Sequence, residues 1–210
     1  MPEQQQSLTL KQTISLAVQH HKAGRLPQAE SIYQQILQVD PDQPFALHLL
    51  GAIAHQTGRN DIAVDLITKA LAIKPDFADA RNNLGLALQD LGRLDEAVAS
   101  YHKALVAKPY YAEAHYNLGN SLKELGKPDG AIASYRKALA INPDFADAHN
   151  NLGNVFFELG ELDEAVASYQ KALAIRPGSA KAWNNFRLAA KALSFSEAQK
   201  GQKENGYKKG

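Results

Sequence analysis

Cysteine is absent from the 210 residues, so the chain has no disulfide framework, no thiolate metal site and no thiol nucleophile. Charge imbalance is nearly absent too: 23 basic side chains face 22 acidic ones, a net charge of +1 that offers nucleic acid or an anionic membrane no electrostatic footprint. No run of about 18 apolar residues occurs, and the glutamine-rich stretch from Met1 to Gln12 has no apolar core, so neither a spanning helix nor a secretory leader is expected. A soluble, cytoplasmic chain without membrane insertion or a nucleic-acid partner is the expectation. Phosphate-cradling glycine loops, nucleophile elbows and acid–base pairs outside a repeat pattern are missing as well, which argues against an enzyme and against a cofactor.

What is present is periodic. Pro41, Pro75, Pro109, Pro143 and Pro177 follow one another at 34 residues, and Gly24, Gly58, Gly92, Gly126 and Gly160 keep the same step. A fixed period of this size means stacked supersecondary units. Each proline removes an N–H and pushes the preceding residue out of the helical region, so it separates two helices. In Pro75-Asp76-Phe77-Ala78-Asp79 and Pro143-Asp144-Phe145-Ala146-Asp147 the first aspartate is placed to cap the next helix, with the second three residues on as in a capping box. Ala80, Leu84, Gly85, Leu88 and Leu91 then recur at helical spacing, and Gly92 ends that helix in the left-handed region. A second helix opens on Asp95-Glu96 and buries Ala97, Val98, Tyr101, Ala104 and Leu105 before Pro109. The unit is a helix–turn–helix hairpin. Small residues at Gly51, Gly85, Gly119 and Gly153 and at Ala63, Ala97, Ala131 and Ala165 let two axes approach, with Tyr33, Tyr101, Tyr135 and Tyr169 filling the space beside them.

The order Leu84-Gly85, Gly92, Ala97, Tyr101, Ala104, Pro109 resembles the tetratricopeptide repeat family. The resemblance covers residues 10–193, as units 10–43, 44–77, 78–111, 112–145 and 146–179 and a capping first helix at 180–193. It implies an all-α, right-handed superhelical solenoid of antiparallel helix pairs, with first helices lining a concave groove. Segment 1–9 is expected to be disordered, and 194–210 to be a mostly disordered basic tail. Thr9 with Gln12 forms a capping box for the opening helix, and Ala17 replaces the later glycines. The Asn-Asn-Leu-Gly runs at 82–85 and 150–153 further resemble the repeats that precede the catalytic region of O-linked N-acetylglucosamine transferases.

On that geometry one stripe of each first helix faces the groove, and it carries an asparagine ladder: Asn83, Asn117, Asn151 and Asn185 at the repeat period, with Asn120 and Asn154 one turn further on. Asparagine is a mediocre helix former, so its recurrence inside helices needs a compensating reason. An amide can both donate to and accept from the backbone of an extended peptide. The alternative is that the amides pair between helices and fix the stacking. Tyr116, Lys123 and Phe157 would select ligand side chains, and Asp90, Glu124 and Glu158, near helix C-termini, are either solvated or turned to a ligand. Facing the groove together, these acids would favour basic side chains in the ligand. The family's carboxylate clamp is matched by Asn120, Asn151 and Lys181, but Tyr116 and Asn185 stand where a lysine and an arginine are required. Histidines 20, 21, 48 and 55 lack the one-turn spacing of a ligand pair, so no metal site is expected. The partner expected is a protein or peptide. Two other roles stay open: the substrate-recognition arm of a larger glycosyltransferase-like enzyme, and self-assembly through the terminal repeats.

Overall fold

Helices alternate with short turns along the whole of residues 9–207, the part of the chain that the computed structural model describes. In the described residues there are eleven helices and no strand. Six belong to a first compact unit that ends at Pro109, namely α1 (Leu10–Lys22), α2 (Leu26–Val39), α3 (Pro44–Gln56), α4 (Asn60–Ile73), α5 (Ala78–Asp90) and α6 (Leu94–Ala107). The second unit begins at Tyr110 and holds α7 (Ala112–Glu124), α8 (Pro128–Ile141), α9 (Ala146–Leu159), α10 (Leu162–Ile175) and α11 (Ala180–Tyr207). Within each unit every helix packs on its neighbours in sequence, and first helices also touch the next first helix, α3 with α5, α7 with α9 and α9 with α11. This is the all-α helix-pair solenoid class expected from the repeat.

The turn inside each hairpin is set by a glycine with positive φ, from 67° at Gly126 to 77° at Gly160. At Gly92 the amide donates to Gln89 O and the next amide, Arg93 N–H, reaches back to Leu88 O, which closes the helix end. The α1 capping box forms as expected between Thr9 and Gln12, while the rest of segment 1–9 lies outside the described residues. The capping expected of Asp76 and Asp144 does not form. The N-cap positions are Phe77 and Phe145, with no side-chain cap bond. Burial of the ring decides this: Phe77 is 8% exposed, and Phe145 lies 4.7 Å from the Tyr116 ring. Asp79 and Asp147 instead pair with the end of their own hairpin's second helix, at Lys108 (3.5 Å) and Arg176 (3.1 Å).

The last helix does not stop at Leu193 but runs to Tyr207, which replaces most of the expected tail 194–210 by helix; 208–210 lie outside the described residues. Ser194 stands where earlier units have their left-handed glycine, so nothing turns the chain, and Glu197-Ala198-Gln199-Lys200 are good helix formers. Arg187 likewise occupies the register of the close-approach glycines Gly51, Gly85, Gly119 and Gly153. Trp183 lies 46% exposed, its Nε1 donating to Pro177 O at 2.8 Å. No helix of the described residues is long and apolar enough to cross a membrane.

The hairpin core is the contact of tyrosine with glycine. Tyr33, Tyr101 and Tyr135 are fully buried and Tyr169 is 2% exposed. A Cβ on Gly119 would lie 2.6 Å from Tyr135 Cε1, and one on Gly153 2.7 Å from Tyr169 Cε1. Gly119→Ala therefore overpacks the hairpin at a cost of about 1–3 kcal/mol, enough to outweigh the better helix propensity of alanine. Urea unfolding of the two proteins measures the difference, and an unchanged midpoint would contradict this packing.

Candidate functional site

In the second unit the asparagines join a network that spans five helices. The Tyr135 hydroxyl on α8 donates to Asn120 Oδ1 on α7 at 2.8 Å. That oxygen also accepts from Asn151 Nδ2 on α9 at 2.9 Å, and the same Nδ2 donates to the Tyr116 hydroxyl at 3.1 Å. One repeat on, the pattern returns: Tyr169 OH and Asn185 Nδ2 converge on Asn154 Oδ1 at 2.9 and 3.0 Å. Asn185 Nδ2 also reaches Asn150 Oδ1 at 3.1 Å, and Asn150 Nδ2 donates to Asn151 Oδ1 at 3.2 Å. The oxygens of Asn120 and Asn154 thus each take one donor from their own hairpin and one from the next first helix. Neutral bonds of this kind contribute about 1 kcal/mol each. The tyrosine hydroxyls were not foreseen as partners, although their 34-residue recurrence in step with Asn120 and Asn154 carries the signal.

The other expected site residues separate into two groups. Asn117 is buried at 8% exposure, and Tyr116 is half-buried against Phe145 and Tyr135. Lys123, Asn154, Phe157 and Asn185 come together with Glu158, Tyr169, Lys181 and Leu188 around a cavity of about 250 Å³. Within it Lys123 Nζ is paired with Glu158 Oε1 at 2.8 Å. The network leaves Asn154 Nδ2 and Asn185 Oδ1 as a donor and an acceptor with no partner among the described residues.

In the first unit the ladder is represented by Asn83, whose Nδ2 donates to His48 Nε2 at 2.9 Å. Asp90 is paired with His55 Nε2 at 2.9 Å. The acidic stripe is therefore closed at Asp90 and Glu158 by side chains of the preceding repeat, and the expected preference for basic ligands loses its basis at those two positions. Among the described residues no three histidine or carboxylate side chains converge as a metal site.

Burial pushes the His48 imidazole down to about 4, with Asp79 opposing the shift and His21 adding to it. A neutral ring agrees with Nε2 acting as acceptor for Asn83. Burial also raises the Tyr169 hydroxyl to about 12 and raises that of Tyr135, so both stay protonated as donors. Tyr33 is raised to about 12 as well, yet its hydroxyl has no partner among the described residues: the residue fifteen before it, where Tyr135 finds Asn120 and Tyr169 finds Asn154, is Val18.

Profiles described as tetratricopeptide repeat match residues 20–84, 76–144 and 116–180, and so run without a gap from 20 to 180. Repeat proteins built of helix hairpins are the class that fold and network define. The chain belongs to the tetratricopeptide repeat family, a family of protein-interaction scaffolds. No curated protein sequence matches it. Among solved structures it is similar to MamA, with 26% identity and a TM-score of 0.71 over 83% of this chain and 99% of that one. It is also similar to a thermophilic tetratricopeptide protein of Thermus thermophilus, with 27% identity and a TM-score of 0.67 over 87% and 98%. YrrB, a tetratricopeptide protein with an unusual peptide-binding site, shares the fold at 23% identity, with a TM-score of 0.68 over 82% and 89%.

Two measurements test the site's physics. Tyr135→Phe takes away one of the two donors to the Asn120 oxygen and lowers unfolding free energy by about 1 kcal/mol, whereas Tyr33→Phe removes an unpartnered buried hydroxyl and leaves stability equal or higher; calorimetric melting of both variants makes the comparison. For His48, the unfolded chain binds a proton below its ordinary value of about 6.5 while the native ring binds it only near 4. Stability is therefore full above that ordinary value and falls as pH drops through the window, by about 3 kcal/mol at most. His48→Gln flattens that part of the profile, as read by urea unfolding between about pH 7 and pH 5.

Proposed function

We propose that the chain is a binding scaffold, not an enzyme, and that the first helices of its second unit hold an extended segment of a partner protein. The observation that carries this reading is the unspent amide capacity in the cavity. Asn154 and Asn185 both line this cavity, and Nδ2 of the first and Oδ1 of the second are left as one donor and one acceptor, which is what a peptide group requires. Asn120 and Asn151 serve mainly to lock successive first helices, and in doing so they hold the next two asparagines in place. Asn83, Asn117 and Tyr116 act from their packed positions as supports, and Lys123 and Phe157 border the ligand. Of the other roles expected from sequence, self-association has Trp183, Leu188 and Phe195 of α11 in its favour, at 46%, 61% and 66% exposure. A glycosyltransferase arm rests only on the two Asn-Asn-Leu-Gly runs.

The stacking and binding roles of one asparagine can be separated. Asn154→Asp keeps the oxygen that accepts from Tyr169 and Asn185 and replaces the Nδ2 donor by a second, charged oxygen. It should leave the melting temperature within about 2 °C of the parent while weakening capture of peptides selected on the parent at least about tenfold. Asn154→Ala, which strands the Tyr169 hydroxyl and takes one of the two acceptors from Asn185 Nδ2, should cost about 1–3 kcal/mol of stability. Unchanged capture by Asn154→Asp would remove the peptide-backbone role.

A further inference from the structure

Two registers of the groove stripe change character at the cavity. Leu188 stands 34 residues after Asn154, and this register, which runs Leu86, Asn120, Asn154, Leu188, returns from amide to leucine in α11. Phe157 stands where earlier first helices carry His55, Gln89 and Lys123. Both apolar side chains border the cavity and both stay open to solvent, Phe157 at 37% and Leu188 at 61% exposure. The cavity they border holds about 250 Å³, less than the roughly 300–1,000 Å³ that encloses a whole small ligand and of the order of a single side chain. The charges nearby do not compete strongly for specificity. Lys123 and Glu158 are closed on one another, and Lys181 is exposed, where an ion pair contributes little beside the burial of an apolar side chain.

We infer that the second unit selects its partner through one uncharged apolar side chain, aliphatic or aromatic, seated between Phe157 and Leu188 on an extended peptide. This rests on the peptide-groove reading above: Asn154 Nδ2 and Asn185 Oδ1 take the backbone while the apolar walls read the residue. Binding removes the two exposed side chains from water and covers the Lys123–Glu158 pair without breaking it. The ligand thus needs no net charge, in contrast to the basic ligand that the acidic stripe of the sequence suggests.

Selection of phage-displayed random peptides on the whole chain tests this, with individual synthetic peptides then measured by fluorescence polarisation. The selected peptides should share one Leu, Ile, Met, Phe or Trp position, and changing that residue to Ser should weaken binding at least about tenfold. Leu188→Ser, at an exposed site that leaves folding intact by calorimetric melting, should weaken binding by a similar factor. Glu158→Gln should change it less than about threefold. Peptides that converge on a charged residue, or that lose affinity with Lys181→Ala and not with Leu188→Ser, overturn the apolar anchor. If those peptides still depend on Asn154→Asp, the groove reading survives alone. Failure to select any peptide defeats both.

Discussion

The contact on which the rest depends is the tyrosine ring laid against a residue without a side chain. Gly85, Gly119 and Gly153 admit Tyr101, Tyr135 and Tyr169 so closely that a methyl group has no room. This fixes the ring, and a fixed ring fixes the direction of its hydroxyl. In α8 and α10 that hydroxyl arrives at Asn120 and Asn154, whose oxygens then accept from the next first helix. Packing inside one hairpin therefore orients the hydrogen bonds that bind it to the following one. Where the pair is altered, the relay changes with it: Ile67 faces Gly51 and has no hydroxyl, and Asn83 meets His48 instead.

The same relay explains why the candidate site is small. A ladder of amides suggests a continuous polar track, but Asn83 Nδ2, Asn120 Oδ1, Asn151 Nδ2, Asn154 Oδ1 and Asn185 Nδ2 are consumed between helices. Each inward bond removes an amide atom from any ligand and holds the neighbouring amide in a defined orientation. Charges behave alike, since Lys123 with Glu158 and His55 with Asp90 close across successive repeats. What remains open lies at α9 and α11, where the asparagine register gives way to Leu188. Stacking and recognition thus draw on one set of side chains, with recognition left to the atoms that stacking does not use.

Much of the fold was legible because its signals are local and repeated. A positive-φ glycine, a proline after each second helix and a stripe of small residues act on the chain within a few residues, and the structure follows each of them. The Thr9–Gln12 box was legible for the same reason. Asp76 and Asp144 were misread because a capping bond competed with burial of Phe77 and Phe145, and the gain from burial depends on helices distant in sequence. The extension of α11 turns on Ser194 standing where a glycine was needed, a substitution visible in the sequence but outweighed there by the lysine-rich, polar composition that follows.

By itself the sequence determined the repeat unit, its helix pairs and the family, because period, turn chemistry and helical spacing are properties of neighbouring residues. It also determined which side chains share a register, hence the candidate ladder. Only the tertiary structure decided which of those side chains are spent. Whether Asn151 faces a ligand or Asn120, and whether Glu158 stands alone or beside Lys123, depends on the distance between residues some thirty apart in sequence. Close packing of the hairpins sets that distance, and no pattern along a single helix contains it.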